Sequence, residues 1–243
     1  MGRRMPRALT FDAFGTVIDA GRDVLLQVCR KALEDAGSGA EPEAFLAAWD
    51  GYFFGTEPEP FLLLYEITAD SLARAFRDHG IDLEPEPYVD LLEREWLRAK
   101  PYPEVPAALE ALDGVPRAIV SNADEAFLQE ILARNGLAFD AVVTSEGVRA
   151  YKPNPRIFER ALEALRVPPR EAVHVGDSLE ADVLGAGRLG MGTVWVNRTG
   201  LRRGPGDPRP DAEVRDLSQV RGTLREMEGR RPAGELGRPK TVK

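Results

Sequence analysis

This 243-residue chain has very little of the chemistry that binds metals through sulfur or nitrogen. It holds one cysteine, Cys29, and two histidines, His79 and His174. A lone cysteine excludes an intrachain disulfide and suits a reducing compartment, so the expected location is the cytoplasm. Two histidines are too few for a histidine-built metal centre. No apolar run approaches the roughly 20 residues of a membrane-spanning helix, so no membrane partner is expected. Residues 1–7 are basic but lack the apolar stretch of a signal peptide. Basic residues are also in the minority, 32 Lys+Arg against 40 Asp+Glu, and a net charge of −8 argues against nucleic acid as a partner. There is no internal repeat. The expectation is a small-molecule substrate and a monomer or weak homodimer.

Apolar residues make up 43% of the chain and charged residues 30%, ordinary values for a globular protein whose length allows one domain with an insertion. The acid is concentrated in the first 200 residues. Residues 201–243 carry 11 basic and 7 acidic side chains, a modestly basic tail. The last part, 229–243, has almost no apolar residues and is expected to be disordered.

The stretch that organises the chain is Leu9-Thr10-Phe11-Asp12-Ala13-Phe14-Gly15-Thr16-Val17. An apolar run is cut by one acid, then by a glycine and a threonine. A carboxylate at the carboxyl end of a buried strand stands where open α/β sheets place their ligands. Gly15 permits a sharp turn, and Thr16 offers a hydroxyl to hold the acid. Apolar residues then recur at helical spacing through 22–36, 42–52, 61–78 and 86–98, with an aromatic and proline-rich turn at 53–60. Residues 20–98 are therefore expected to be an all-helical insertion. From residue 101 onward, helices at 105–112, 124–135, 155–165, 179–189 and 217–227 alternate with buried strands at 117–121, 141–144, 172–176 and 193–197, and a short strand fits 213–214. Apolar strands alternating with helices mean a parallel sheet covered on both faces.

Polar groups gather where these strands end. Asp12 follows the first strand, Ser121-Asn122 the second and Tyr151-Lys152-Pro153 the third. Gly176-Asp177-Ser178 follows the fourth, with Asp182 five residues beyond Asp177. Singly, each fits a helix cap or a solvated loop. Together, on one edge of a parallel sheet, they can converge into a site. Elsewhere the residues read as packing. Trp49, Trp96 and Trp195 are expected in cores, as are Tyr52, Phe53, Phe54, Phe61 and Tyr65, with a pocket lining as the other reading of these five. Cys29 and His174 are expected in the interior, and His79 at a helix end.

These four ordered motifs resemble those of the haloacid dehalogenase-like hydrolases. The resemblance implies a Rossmann-like, doubly wound α/β core from residues 1–19 and 99–228, with a helical cap from 20–98 over the site. It implies that Asp12 is a nucleophile forming a covalent aspartyl intermediate, that Asp12, Asp177, Asp182 and the backbone carbonyl of Phe14 form an Mg²⁺ site, and that Ser121 and Asn122 bind substrate. Lys152 would offset negative charge and Thr16 would orient Asp12. Phosphatases of the family carry a second Asp two residues after the nucleophile, where this chain has Phe14. The 2-haloacid dehalogenases have an aromatic there, and a cap arginine, for which Arg22 and Arg30 are available. They lack the acid pair that Asp177 and Asp182 retain. The expected function is Mg²⁺-dependent phosphatase-type hydrolysis. The alternatives are a 2-haloacid dehalogenase and a catalytically weak binding member of the fold.

Overall fold

The apolar run becomes β1 (Ala8–Phe11), four buried residues in the middle of the main sheet of the computed structural model, which describes residues 5–54 and 59–230. After a tight turn come β2 (Ile18–Asp19) and the helices α1 (Arg22–Asp35), α2 (Pro42–Phe54), α3 (Leu64–Asp78) and α4 (Glu86–Trp96). The chain returns through β3 (Lys100–Pro101), which pairs antiparallel with β2. The remaining elements are α5 (Val105–Ala111), β4 (Arg117–Ser121), α6 (Glu125–Arg134), β5 (Ala141–Thr144), α7 (Ser145–Val148), α8 (Pro155–Leu165), β6 (Ala172–Gly176), α9 (Gly185–Arg188), β7 (Gly192–Val196), β8 (Ala212–Val214) and α10 (Val220–Arg230).

The main sheet runs β5-β4-β1-β6-β7-β8, and every pairing in it is parallel. Leu9 and Phe11 turn to one face and pack under α5, α6 and α10. Ala8, with Ala118 and Val120 of β4, turns to the other and meets Ile157 and Phe158 of α8 and Ala186 of α9. The strands need apolar residues on both sides because both faces are covered. Chain order departs to opposite sides of β1, with β4 on one flank and β6 on the other, so a crevice opens beyond its carboxyl end.

Helices α1–α4 close around a core of their own. Val28, Cys29, Phe45, Leu46, Trp49, Leu72 and Phe76 are buried in it. Fully burying a side chain of this kind contributes about 1.5–3 kcal/mol, which is what holds four helices together outside the sheet. The Trp49 indole N–H is satisfied by Ser71 Oγ at 2.9 Å.

Several details differ from the sequence reading. The β2–β3 ribbon and α7 are too short to show periodicity and were not expected. The helix expected at 179–189 is two pieces, a wide π-type turn over Leu179–Leu184 followed by α9. Gly185 sits at the junction because a Cβ there would come within 2.6 Å of the Phe158 ring. Of the turn expected at 53–60, Phe53 and Phe54 belong to α2, and residues 55–58 lie outside the described residues. Gly229 and Arg230 are the end of α10 rather than part of a disordered tail, and 231–243 lie outside the described residues.

Candidate active site

Asp12 is the first residue beyond β1, 6% exposed, with its backbone N–H donating to the Val175 carbonyl. The chain turns sharply behind it. Gly15 adopts φ +85°, and a Cβ there would fall 2.5 Å from a carboxylate oxygen of Asp177. Glycine is required on both counts, and the contact explains how Asp177, at the end of β6, comes so near the β1 turn. Gly176 does the same for Asp182, whose Cγ would lie 2.3 Å from an added Cβ. The wide helical turn after Ser178 aims Asp182 back at the sheet, and the Ser178 N–H donates to its Oδ2 at 2.9 Å. Such π-type turns often occur at functional sites.

Lys152 closes the cluster. Its side chain is 3% exposed, and its Nζ donates to Asp12 Oδ1 at 2.5 Å and to Asp182 Oδ1 at 2.7 Å. The loop carrying it is fixed by Asn122, whose Oδ1 accepts from the Lys152 backbone N–H at 2.7 Å. Asp182 Oδ1 also meets His174 Nε2 at 3.0 Å, and His174 Nδ1 lies 2.8 Å from Thr10 Oγ1. A buried chain thus runs from Thr10 through His174, Asp182 and Lys152 to Asp12.

The charges do not balance. Fully ionised, three carboxylates would share one ammonium and leave two negative charges. Burial pushes the Asp12 carboxyl up to about 7; Lys152 pulls it down, and Asp182 and Asp177 push it up. Asp182 is equally buried, which alone would raise it, but the Lys152 charge and the bonds from His174 and Lys152 hold it well below the usual carboxylate range. Burial would lower the Lys152 ammonium, but Asp12 and Asp182 raise it above the ordinary lysine value. Desolvation of its carboxyl and the Asp182 charge raise Asp177 to about 6, with Thr16 Oγ1 donating to it at 3.1 Å. Asp177 is nonetheless exposed as a residue, so water screens it more than the other two.

The structure therefore brings together Asp12, Lys152, Asp177 and Asp182, and sets Ser121 buried at the end of β4. Three contacts add to the sequence reading. Thr16 binds Asp177 rather than Asp12. Asn122 holds the backbone of Lys152. Asp182 Oδ1 accepts from Lys152 and meets His174, and its Oδ2 accepts from the Ser178 N–H. Carboxylate oxygens of Asp12, Asp177 and Asp182 lie within 4.8 Å of one another. An all-oxygen donor set with two uncompensated charges fits Mg²⁺, a hard cation, with Asp12 and Asp177 as the side chains that would hold it.

Phe14 stacks between Trp96 at the end of α4 and Phe127 of α6, with ring centres 5.9 and 6.4 Å away. Of the two arginines named as available for a halide, Arg22 lies 3.7 Å from Asp50 and Arg30 3.9 Å from Glu43, both largely exposed. Among the cap aromatics, Tyr52 bonds Asp78, Tyr65 bonds Asp90, and Phe61 stacks on Tyr151. Sequence reasoning missed Asp124, whose carboxylate accepts from the Leu64 and Tyr65 backbone N–H groups at 2.8 and 3.0 Å and so ties α3 to the core. It also missed Arg198. The signal was a polar pair, Asn197-Arg198, at one more strand end.

A parallel α/β sheet with an inserted helical unit and a carboxylate–lysine cluster beyond its central strands defines the class. The particular family follows from comparison. The model of the haloacid dehalogenase-like hydrolases matches residues 6–190, and the chain belongs to that family. It is 30% identical over 203 residues to (S)-2-haloacid dehalogenase 4A of Burkholderia cepacia, covering 80% of this chain and 84% of that one. It is 42% identical over 133 residues to the phosphoserine phosphatase of Thermus thermophilus, covering 52% of each. A solved dehalogenase with a bound intermediate superposes with a TM-score of 0.74 at 26% identity, over 90% of this chain and 97% of that one. Several curated dehalogenases match along 80% or more of the chain, which favours the dehalogenase alternative over the phosphatase reading drawn from the motifs, although a solved phosphatase from Thermococcus onnurineus also matches over 90% of this chain at 33% identity with a TM-score of 0.64. Among the described residues, no helix is long and apolar enough to cross a membrane.

Proposed function

We propose that this hydrolase acts through Asp12 as nucleophile on substrates whose leaving group departs as a stable anion, with 2-haloacids as the first substrate class. The observation that carries this reading is the placement of Phe14. A positioned general acid contributes about 10²–10⁴-fold by protonating a leaving group. Phe14 has no acidic proton to donate, and its ring stacks with Trp96 and Phe127. A halide needs no proton. An Asp12 oxygen would form a bond to the carbon bearing the halogen, and the halide would leave with the electron pair. Water would then cleave the ester and return the carboxylate. Lys152 holds Asp12 in place, and Asp182 with His174 holds Lys152. The near-full-length likeness to dehalogenases supports the same substrate class.

A second reading is favoured by the acid cluster. Asp12 and Asp177 fit Mg²⁺, which would supply charge neutralisation for a phosphate ester. With Phe14 in place, aryl and acyl phosphates would be preferred over alkyl phosphates. Halide release from 2-chloropropionate and haloacetate, and phosphate release from acetyl phosphate and nitrophenyl phosphate, are to be measured with Mg²⁺ and with chelator. Metal-independent halide release is expected. Phosphate release that needs Mg²⁺, without halide release, would replace the first reading by the second.

A further inference from the structure

Arg198 lies two residues beyond β7, and its side chain, 18% exposed, reaches back to the β1 turn. Its Nε donates to the Gly15 carbonyl at 3.1 Å. One terminal nitrogen donates to the Thr16 carbonyl at 2.8 Å and to Glu104 at 2.7 Å. The guanidinium lies 3.5 Å from the centre of the Tyr102 ring. Asn197 fixes the base of this arm by bonding Leu201 and Glu213.

The partners fall into two groups. Gly15 and Thr16 form the turn behind Asp12, where the chain heads for the helical insertion. Tyr102 and Glu104 follow β3, where it returns, and the Tyr102 N–H donates to the Val17 carbonyl at 3.2 Å. One cation therefore grips the exit, the return and the turn behind the nucleophile. A planar fork can serve two carbonyls, a carboxylate and a ring face at once, which an ammonium cannot. The turn has no slack, since Gly15 lies against the Asp177 carboxylate and Thr16 donates to it.

We propose that Arg198 is a positioning residue: by clamping the Gly15–Thr16 turn to the returning strand, it holds Asp12 and Asp177 at their working separation. The proposal rests on the reading of Asp12 as nucleophile. A misplacement of about 1 Å can cost on the order of 10²-fold in rate.

The test uses the full chain with Arg198→Ala, Arg198→Lys and Asp12→Asn. Substrate-independent amide exchange at residues 13–18 is expected to quicken in Arg198→Ala; unchanged exchange there overturns the proposal. On any panel substrate that is turned over, kcat is expected to fall about 10- to 100-fold with KM nearly constant. Added guanidinium should restore part of the Arg198→Ala rate, and methylammonium should not. Arg198→Lys keeps a charge near Glu104 without the fork and should lose kcat as well. Wild-type kcat in either variant, a raised KM at unchanged kcat, or a folded Arg198→Ala protein that guanidinium does not rescue would overturn the proposal. Should Arg198→Ala not fold, the kcat of Arg198→Lys decides. Asp12→Asn judges the underlying reading separately: turnover at the wild-type rate removes Asp12 as nucleophile, whatever the Arg198 variants do.

Discussion

Lys152→Met removes a charge that two buried carboxylates depend on. The side chains involved are 3%, 9% and 1% exposed for Lys152, Asp12 and Asp182. Breaking one buried pair by deleting a partner costs about 3–5 kcal/mol. Here one deletion unpairs Asp12 and removes one of three partners of Asp182, so a loss near the upper end, about 5 kcal/mol at pH 8, is expected. The dependence on pH is more diagnostic. The folded Asp12 carboxyl stands at about 7 against an ordinary 3.8, so the folded state holds a proton that the unfolded state has released. The stabilisation this gives is complete below about 3.8 and is lost as pH rises through about 7. Lys152 is what holds that carboxyl down, so its removal raises Asp12 further and extends the losing window upward. Each added pKa unit is worth about 1.36 kcal/mol. The deficit of Lys152→Met relative to wild type should therefore be smallest at pH 5 and grow toward pH 8. Urea unfolding at pH 5, 6.5 and 8, followed by tryptophan fluorescence, reads this directly. A deficit below about 1 kcal/mol at pH 8, or one that does not change with pH, would refute the electrostatic account of the site.

Three further outcomes follow from the same geometry. In chelator, kcat/KM should climb between pH 5.5 and 8 as Asp12 loses its proton near 7, and Mg²⁺ should move that rise to lower pH; identical flat profiles would contradict the burial of Asp12. Gly15→Ala forces a Cβ to 2.5 Å from Asp177 at φ +85°, costing about 1–3 kcal/mol, so thermal unfolding should fall and calorimetric Mg²⁺ affinity should weaken together. Phe14→Asp places a carboxylate between the Trp96 and Phe127 rings, so the melting temperature should drop and alkyl phosphate hydrolysis should stay at background; a clear gain would mean that the new acid reaches the site.

The parallel sheet was legible because its strands are short apolar runs ended by polar residues, as at Ser121-Asn122 and Gly176-Asp177. The helical insertion was legible from spacing, as in Val28, Cys29, Ala32 and Leu33, all buried. Convergence of Asp12, Lys152, Asp177 and Asp182 could be inferred, since parallel strands end on one edge. Which partner each would choose could not. Thr16 lies four residues from Asp12 in sequence, yet its hydroxyl serves Asp177, because the turn at Gly15 carries it across to β6. His174 read as an interior residue, and it is one, but its ring also steadies Asp182, a contact set by the wide helical turn that no periodicity announces. Arg198 was marked only by its place at one more strand end, and Asp124 only as a helix start; neither signal says which distant segment the side chain would bind.

The ribbon of β2 and β3 pairs Ile18 with Pro101 and Asp19 with Lys100. Seen from the sheet, everything between Asp19 and Lys100 is one hairpin loop. Closing a loop costs only about (3/2)RT ln n, so its length hardly matters to the fold beneath. Such a joint works like a socket. A lineage could enlarge, replace or reshape this insertion by recombination at that point without disturbing a single pairing of the six-stranded sheet. What would have to be kept is short: the ring contact of Trp96 with Phe14 and the grip of Asp124 on the start of α3.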